Sequence, residues 1–250
     1  MSEARTGYEV DEHGVAVLRL TRPEARNAID TLMLEEVLGH LESAGAADQV
    51  RVLVISSSDQ MGLSAGADIR EELDAEAKVR RMQLFADVYD GIVAFPKPTI
   101  AVCHGDVVGG GAEIAVACDM RVGGANLRMR FPGAALGVPV GPARLVTLCG
   151  LATAKYLLLS SRTVGADEAL RLGLVQEVCP HEALLETATE WCRRIERLPP
   201  HAFEMTKPLL RAAVDAGWEQ SLTMEEFAEG NCFSTTAPAT VAAAIRARVA

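Results

Sequence analysis

The chain has 250 residues, of which 49% are hydrophobic, 23% charged and only 4% aromatic. That composition excludes intrinsic disorder and calls for a core built from Ala, Val, Leu and Ile in one large domain, or one domain with a helical extension. A formal net charge of −10 argues against a nucleic-acid partner. No apolar run reaches the length of a membrane span, and the polar start, Met1 to Gly7, has no signal-peptide apolar region, so a cytoplasmic protein with no membrane partner is expected.

Predicted elements follow in chain order. Residues 15–20 alternate as a strand, and residues 51–56 are rich in β-branched residues. Between them Asp30 caps a helical pattern carried by Leu32, Leu34, Val37, Leu38 and Leu41. An amphipathic helix is expected over 78–95, with Val79, Met82, Phe85, Ala86, Tyr89 and Val93 on one side. A strand at 99–104 leads to a helix from about Gly110 to Cys118, and short strands are expected at 119–122 and 127–130. Beyond Gly141 the pattern turns helical at 152–160, 166–172, 181–197, 202–216, 218–232 and 239–249, with one strand at 174–179. The reading is an α/β core over 1–198 holding the site, then a helical region over 199–250, divided at Pro199-Pro200.

Six cysteines lie mostly in apolar stretches with no C-x-x-C pair, which reads as reduced, buried thiols. The five histidines have no ligand spacing, and no metal is expected.

Two glycine-rich turns carry the chemical signal. Gly62-Leu63-Ser64-Ala65-Gly66-Ala67-Asp68-Ile69 follows one strand, and its small residues let a ligand approach the backbone. Gly109-Gly110-Gly111-Ala112-Glu113 follows another strand and opens a helix, whose first amides are unpaired donors at the positive end of the dipole. This run lacks the lysine of a P-loop and the spacing of G-x-G-x-x-G. Read singly, each is a tight turn or an anion cradle.

Read together, they resemble the enoyl-CoA hydratase/isomerase (crotonase) family. The likeness runs through 20–28, 64–69, 104–113, 117–121 and 169–175 in the right order. It implies the ClpP/crotonase-like fold, a spiral of β-β-α units with a helical C-terminal trimerisation region, and a homotrimer or hexamer. It implies an acyl-CoA substrate, with coenzyme A entering as part of that substrate and no other cofactor. It places an oxyanion hole for the thioester oxygen on the backbone N–H groups of Ala67 and Gly110, and CoA contacts on Ala25, Arg26, Ala65, Asp68 and Ile69. Arg22 and Arg26 would partner CoA phosphates or stand as solvated surface arginines, and Arg248 would reach CoA in a neighbouring subunit.

Family hydratases use two glutamates. The first falls on Glu113. The second, preceded by proline, falls on Gly133 in Phe131-Pro132-Gly133. Glycine supplies no acid or base, and the ionisable groups near it in sequence are Arg128 and Arg130. A site with Glu113 alone is left with slow hydration, with a double-bond shift, or with another enolate chemistry such as thioester hydrolysis or decarboxylation. Acyl-CoA binding without turnover is the remaining reading, and a substrate group filling the space at Gly133 is a further expectation. His104 and Asp106 invite an acid/base role or simply shape the turn. Tyr89 lines an acyl pocket or belongs to the core.

Overall fold

The computed structural model describes residues 4–138 and 140–215. Thr6–Val10 (β1) and Val15–Leu20 (β2) form an antiparallel hairpin. Val52–Ser57 (β3), Thr99–Cys103 (β4), Met120–Gly124 (β6) and Glu177–Cys179 (β9) then add in parallel, giving one six-stranded sheet in the order β1-β2-β3-β4-β6-β9. The central strands β3 and β4 are nearly continuous apolar runs because both faces are covered. Three short strands, Asp106–Val108 (β5), Arg128–Arg130 (β7) and Thr163–Gly165 (β8), form a second sheet in the order β5-β7-β8.

Strands of the large sheet therefore lead into strands of the small sheet and then into helices. β4 passes through β5 into Gly110–Ala117 (α3), and β6 passes through β7 toward Pro142–Ser160 (α4). This is the β-β-α winding that the resemblance implied. Thr31–Ala46 (α1) and Ala75–Val93 (α2) pack on one another, and Asp30 caps α1 by accepting from the Met33 amide at 2.9 Å. Leu184–Glu196 (α6) buries Leu184, Ala188, Cys192 and Ile195 against β3, β4 and β6, after the short Ala166–Arg171 (α5). Pro200–Asp215 (α7) is tied back by Lys207, whose ammonium donates to the Lys97 carbonyl and to Asp119 Oδ2 at 2.8 Å.

Several boundaries differ from those expected. The helix expected at 152–160 is joined to an earlier helical turn set that starts at Pro142, a residue suited to a first helical position. Gly150, at φ 77 and ψ 161, breaks the two segments apart. By length and composition α4 is apolar enough to cross a membrane, contrary to the expectation that no run qualifies. The break leaves segments 142–149 and 151–160, about 12 and 15 Å long, against about 30 Å of bilayer hydrocarbon. β1, β5 and β8 were not anticipated, and the helices expected at 218–232 and 239–249 lie outside the described residues.

Candidate active site

The two glycine turns meet. The loop after β3 runs alongside β5 through bridges Gly62 to Gly105 and Ser64 to Val107, with the Val108 amide donating to the Ser64 carbonyl at 3.0 Å. A third bridge joins Ile29 to Ala67 in parallel sense. In it the Ile29 amide donates to Gly66 O and the Asp68 amide to Ile29 O, both at 2.8 Å. The alternation of a strand therefore turns the Ala67 N–H to the opposite, exposed side, where no described group accepts from it. Gly110 opens α3, so its amide is one of the donors with no intrahelical partner.

Contact between the loops rests on missing side chains. A Cβ on Gly66, which sits at φ +94, would meet the Val108 carbonyl at 2.8 Å, and one on Gly109 would lie 3.9 Å from Gly66 Cα. The residues that immediately follow these two glycines, Ala67 and Gly110, are the pair expected to hold the thioester oxygen. Ser64 stiffens the arrangement: its buried hydroxyl donates to the Asn27 carbonyl at 2.6 Å and accepts from the Gly66 amide at 3.1 Å.

The expected CoA contacts are also gathered here. Pro23–Ala25 forms a short 3-10 turn that ends with Arg26 and Asn27 in the left-handed region, at φ 52 and 49. The Ala65 amide donates to the Arg26 carbonyl at 2.9 Å, which fastens this turn to the loop. Ile69 is 90% exposed, and Arg26 is exposed with only a 3.6 Å ion pair to Asp106. Arg22 does not stand free for a phosphate. Its guanidinium donates to Asp68 Oδ2 at 2.6 Å and to the Ala28 carbonyl, and lies 3.3 Å from Asp30. Asp68 is buried and its side chain is spent inside the loop. Burial works to raise its pKa, but the Arg70 amide and the Arg22 guanidinium prevail and hold it below the usual carboxylate range. Arg22, Ala25, Asp30 and Asp68 line a cavity of about 360 Å³ together with Glu24, Arg70 and Glu71. Arg248 lies outside the described residues.

Glu113 follows Gly110 on α3 and is 1% exposed. Burial pushes its carboxyl above the ordinary value, against the opposing pull of Arg144. Arg144, on the first turn of α4, was not among the residues singled out from the sequence. Its Nε and Nη2 both reach Glu113 Oε2 at 2.9 Å, and its guanidinium lies 4.7 Å over the Tyr89 ring. The only sequence signal for it is the Gly141-Pro142 start of a helix that brings position 144 inward. Tyr89 is a core residue: it is 4% exposed, packs on Phe85, and lies close enough to Glu113 and Arg144 to feel both charges.

Gly133 is buried and the space beside it is taken. A Cβ there would meet the Val138 carbonyl at 2.6 Å and Val140 Cγ1 at 2.9 Å. The backbone of the following turn closes over the position, with the Val138 amide donating to Gly133 O at 2.8 Å. The expectation that a substrate group fills this space is therefore corrected: the chain's own turn fills it. Arg128 and Arg130 are engaged elsewhere, by Asp106 and by the Ser161 carbonyl. His104 is buried, with Nε2 2.8 Å from the Asp59 carbonyl, and Asp106 pairs with Arg26 and Arg128, so both shape the turn.

Comparison with known proteins gives the family and the fold. The enoyl-CoA hydratase/isomerase family model matches residues 11–239. The chain is 33% identical to a short-chain-enoyl-CoA hydratase of Clostridium acetobutylicum, over 90% of this chain and 88% of that one. It is 33% identical to a 2,3-dehydroadipyl-CoA hydratase of Escherichia coli, over 84% of each. Among solved structures, an enoyl-CoA hydratase from Bacillus anthracis superposes with a TM-score of 0.89 at 25% identity, covering 93% of this chain and 92% of that one. Adjoining amide-bearing loops, a buried glutamate one turn along, the winding of the sheets and these likenesses lead to one assignment: the chain belongs to the enoyl-CoA hydratase/isomerase (crotonase) family.

Proposed function

We propose that this enzyme of the hydratase/isomerase family acts on an enoyl-CoA thioester, by hydration or double-bond isomerisation, with Glu113 as its one carboxylate acid/base. The observation that carries this reading is the position of Glu113: buried, one helical turn beyond Gly110, on the helix whose start packs against Gly66 of the loop carrying Ala67, whose amide meets no acceptor among the described residues. Negative charge that develops on the thioester oxygen meets two preorganised amides, each worth roughly 2.7–4 kcal/mol in comparable sites. Glu113 then takes a proton as the enolate forms and returns one to the acyl carbon. CoA would lie along the Ala25–Arg26 turn and residues 65–69, with Arg26 as the exposed cation, and the working particle would be a trimer or hexamer.

Gly133 favours a second reading, acyl-CoA binding without turnover, because no second carboxylate is present at that position. One experiment separates the two. Purified protein is incubated with crotonyl-CoA and with longer 2-enoyl and 3-enoyl thioesters, and products are identified by mass spectrometry. Turnover that disappears in Glu113→Gln supports the first reading. Measurable affinity with no product from any thioester supports the second, and full activity in Glu113→Gln removes Glu113 from its role.

A further inference from the structure

The pairing at Glu113 is asymmetric. Nε of Arg144 donates to Oε2 and Nη2 forms an ion pair with the same oxygen, whereas no hydrogen bond among the described residues reaches Oε1. Oε1 occupies volume that a side chain at position 141 would take, since a Cβ on Gly141 would lie 2.3 Å from it. Gly141 stands at φ +97, three residues before Arg144, so one turn of chain both makes room for the carboxylate and supplies its cation. Tyr89 holds the guanidinium from its other side.

We propose that Arg144 is a positioning residue for proton transfer: it anchors Oε2 of Glu113 and leaves Oε1 as the oxygen that exchanges a proton with the bound acyl group. This rests on the function proposed above. A carboxylate held by one oxygen cannot rotate to present the other without breaking the charged Nε hydrogen bond and the Nη2 ion pair, so one lone-pair direction is aimed throughout. In the transfer step a C–H bond of the acyl group breaks, its electron pair passes into the enolate, and an O–H bond forms at Oε1. Return of that proton to a different acyl carbon, with the enolate's electron pair forming the new C–H bond, completes a double-bond shift; in hydration Oε1 takes the proton from water as the water oxygen bonds the β carbon, and returns it to the α carbon. Without a second carboxylate, the same oxygen accepts and returns the proton, and a fixed cation beside Oε2 favours the ionised state in which each cycle begins.

The test compares wild type, Arg144→Lys, Arg144→Gln and Glu113→Gln. Isotope-edited infrared spectroscopy follows the carboxylic-acid band that Glu113→Gln lacks, which titrates Glu113 without needing turnover. The midpoint is expected to rise by about 1–3 pH units in Arg144→Gln, with Arg144→Lys between that variant and wild type. In parallel, the acid limb of the kcat profile is expected to move in step while KM changes little. An unchanged midpoint in both arginine variants, or wild-type kcat in Arg144→Gln, overturns the proposal. Should Arg144→Gln fail to fold, the lysine variant decides by the same readouts. Absence of wild-type turnover on every enoyl-CoA defeats the functional reading and the proton-exchange half of the proposal, and the titration separately upholds or defeats the anchoring.

Discussion

Glu113 is a costly residue to bury, and the balance around it indicates what it is for. An ion pair at close range gains on the order of 4 kcal/mol where the effective dielectric is intermediate, while desolvating each charge costs several kcal/mol. The pair with Arg144 therefore adds little to stability, and its value lies in holding a carboxylate at a set place one turn beyond the Gly110 amide. Substituting Glu113 by Gln is expected to lower turnover about 10²–10⁴-fold while acyl-CoA affinity, read by calorimetry, stays near wild type. Because burial raises the Glu113 pKa, activity that needs its carboxylate is lost as pH falls through a value above the ordinary ~4.3. A kcat/KM profile whose acid limb lies at or below that ordinary value would contradict this. Gly141→Ala places a methyl group 2.3 Å from Oε1 at φ +97. The displaced carboxylate is expected to cost about 10²-fold in kcat, with CoA affinity retained.

At the scale of elements, the site is two turns held together by backbone. The loop at 62–69 has no helix or strand of its own and takes its shape from β5, from Ile29 and from Ser64. Ser64→Ala leaves the buried Asn27 carbonyl and the Gly66 amide without that hydroxyl, which is expected to cost about 1–3 kcal/mol in urea unfolding. It should also lower kcat by loosening the Ala67 amide, and a kcat equal to wild type would show that the loop is held by its bridges alone. Much of this was legible in the sequence. Residues 15–20 and the Asp30 cap were placed because alternation and capping are local signals. β5 and β8 are three residues each and exist only because β7 lies between them, which no local pattern reports. Arg144 escaped for the same reason: it meets Glu113 from 31 positions away in sequence, through a turn whose glycines and prolines carry no periodicity. Arg22 failed as a free phosphate partner because its carboxylates, Asp30 and Asp68, come from two other segments.

For the whole molecule, acidity and buried histidine set the response to pH. The His104 ring is buried against His181 and the Asp59 carbonyl, and burial chiefly lowers its pKa. The unfolded chain then binds a proton that the folded chain refuses, so this contribution to stability is present above pH ~6.5 and is lost as pH falls toward the lowered folded value. Urea midpoints measured from pH 7.5 to 5 should fall for wild type and fall less for His104→Gln. Equal slopes would remove His104 from the account. The exposed apolar side chains of α4, Leu151, Tyr156 and Leu159, add a face that a single copy does not cover among the described residues.

The central claim, that Glu113 moves protons on an acyl group whose thioester oxygen is held by Ala67 and Gly110, is tested most directly by isotope exchange. An enoyl-CoA and its 3-hydroxyacyl counterpart would be incubated in D2O with wild type and with Glu113→Gln, and deuterium in the acyl group measured by mass spectrometry. The account predicts enzyme-dependent incorporation in wild type that falls at least about 10²-fold in the variant. Equal incorporation by both proteins would contradict it.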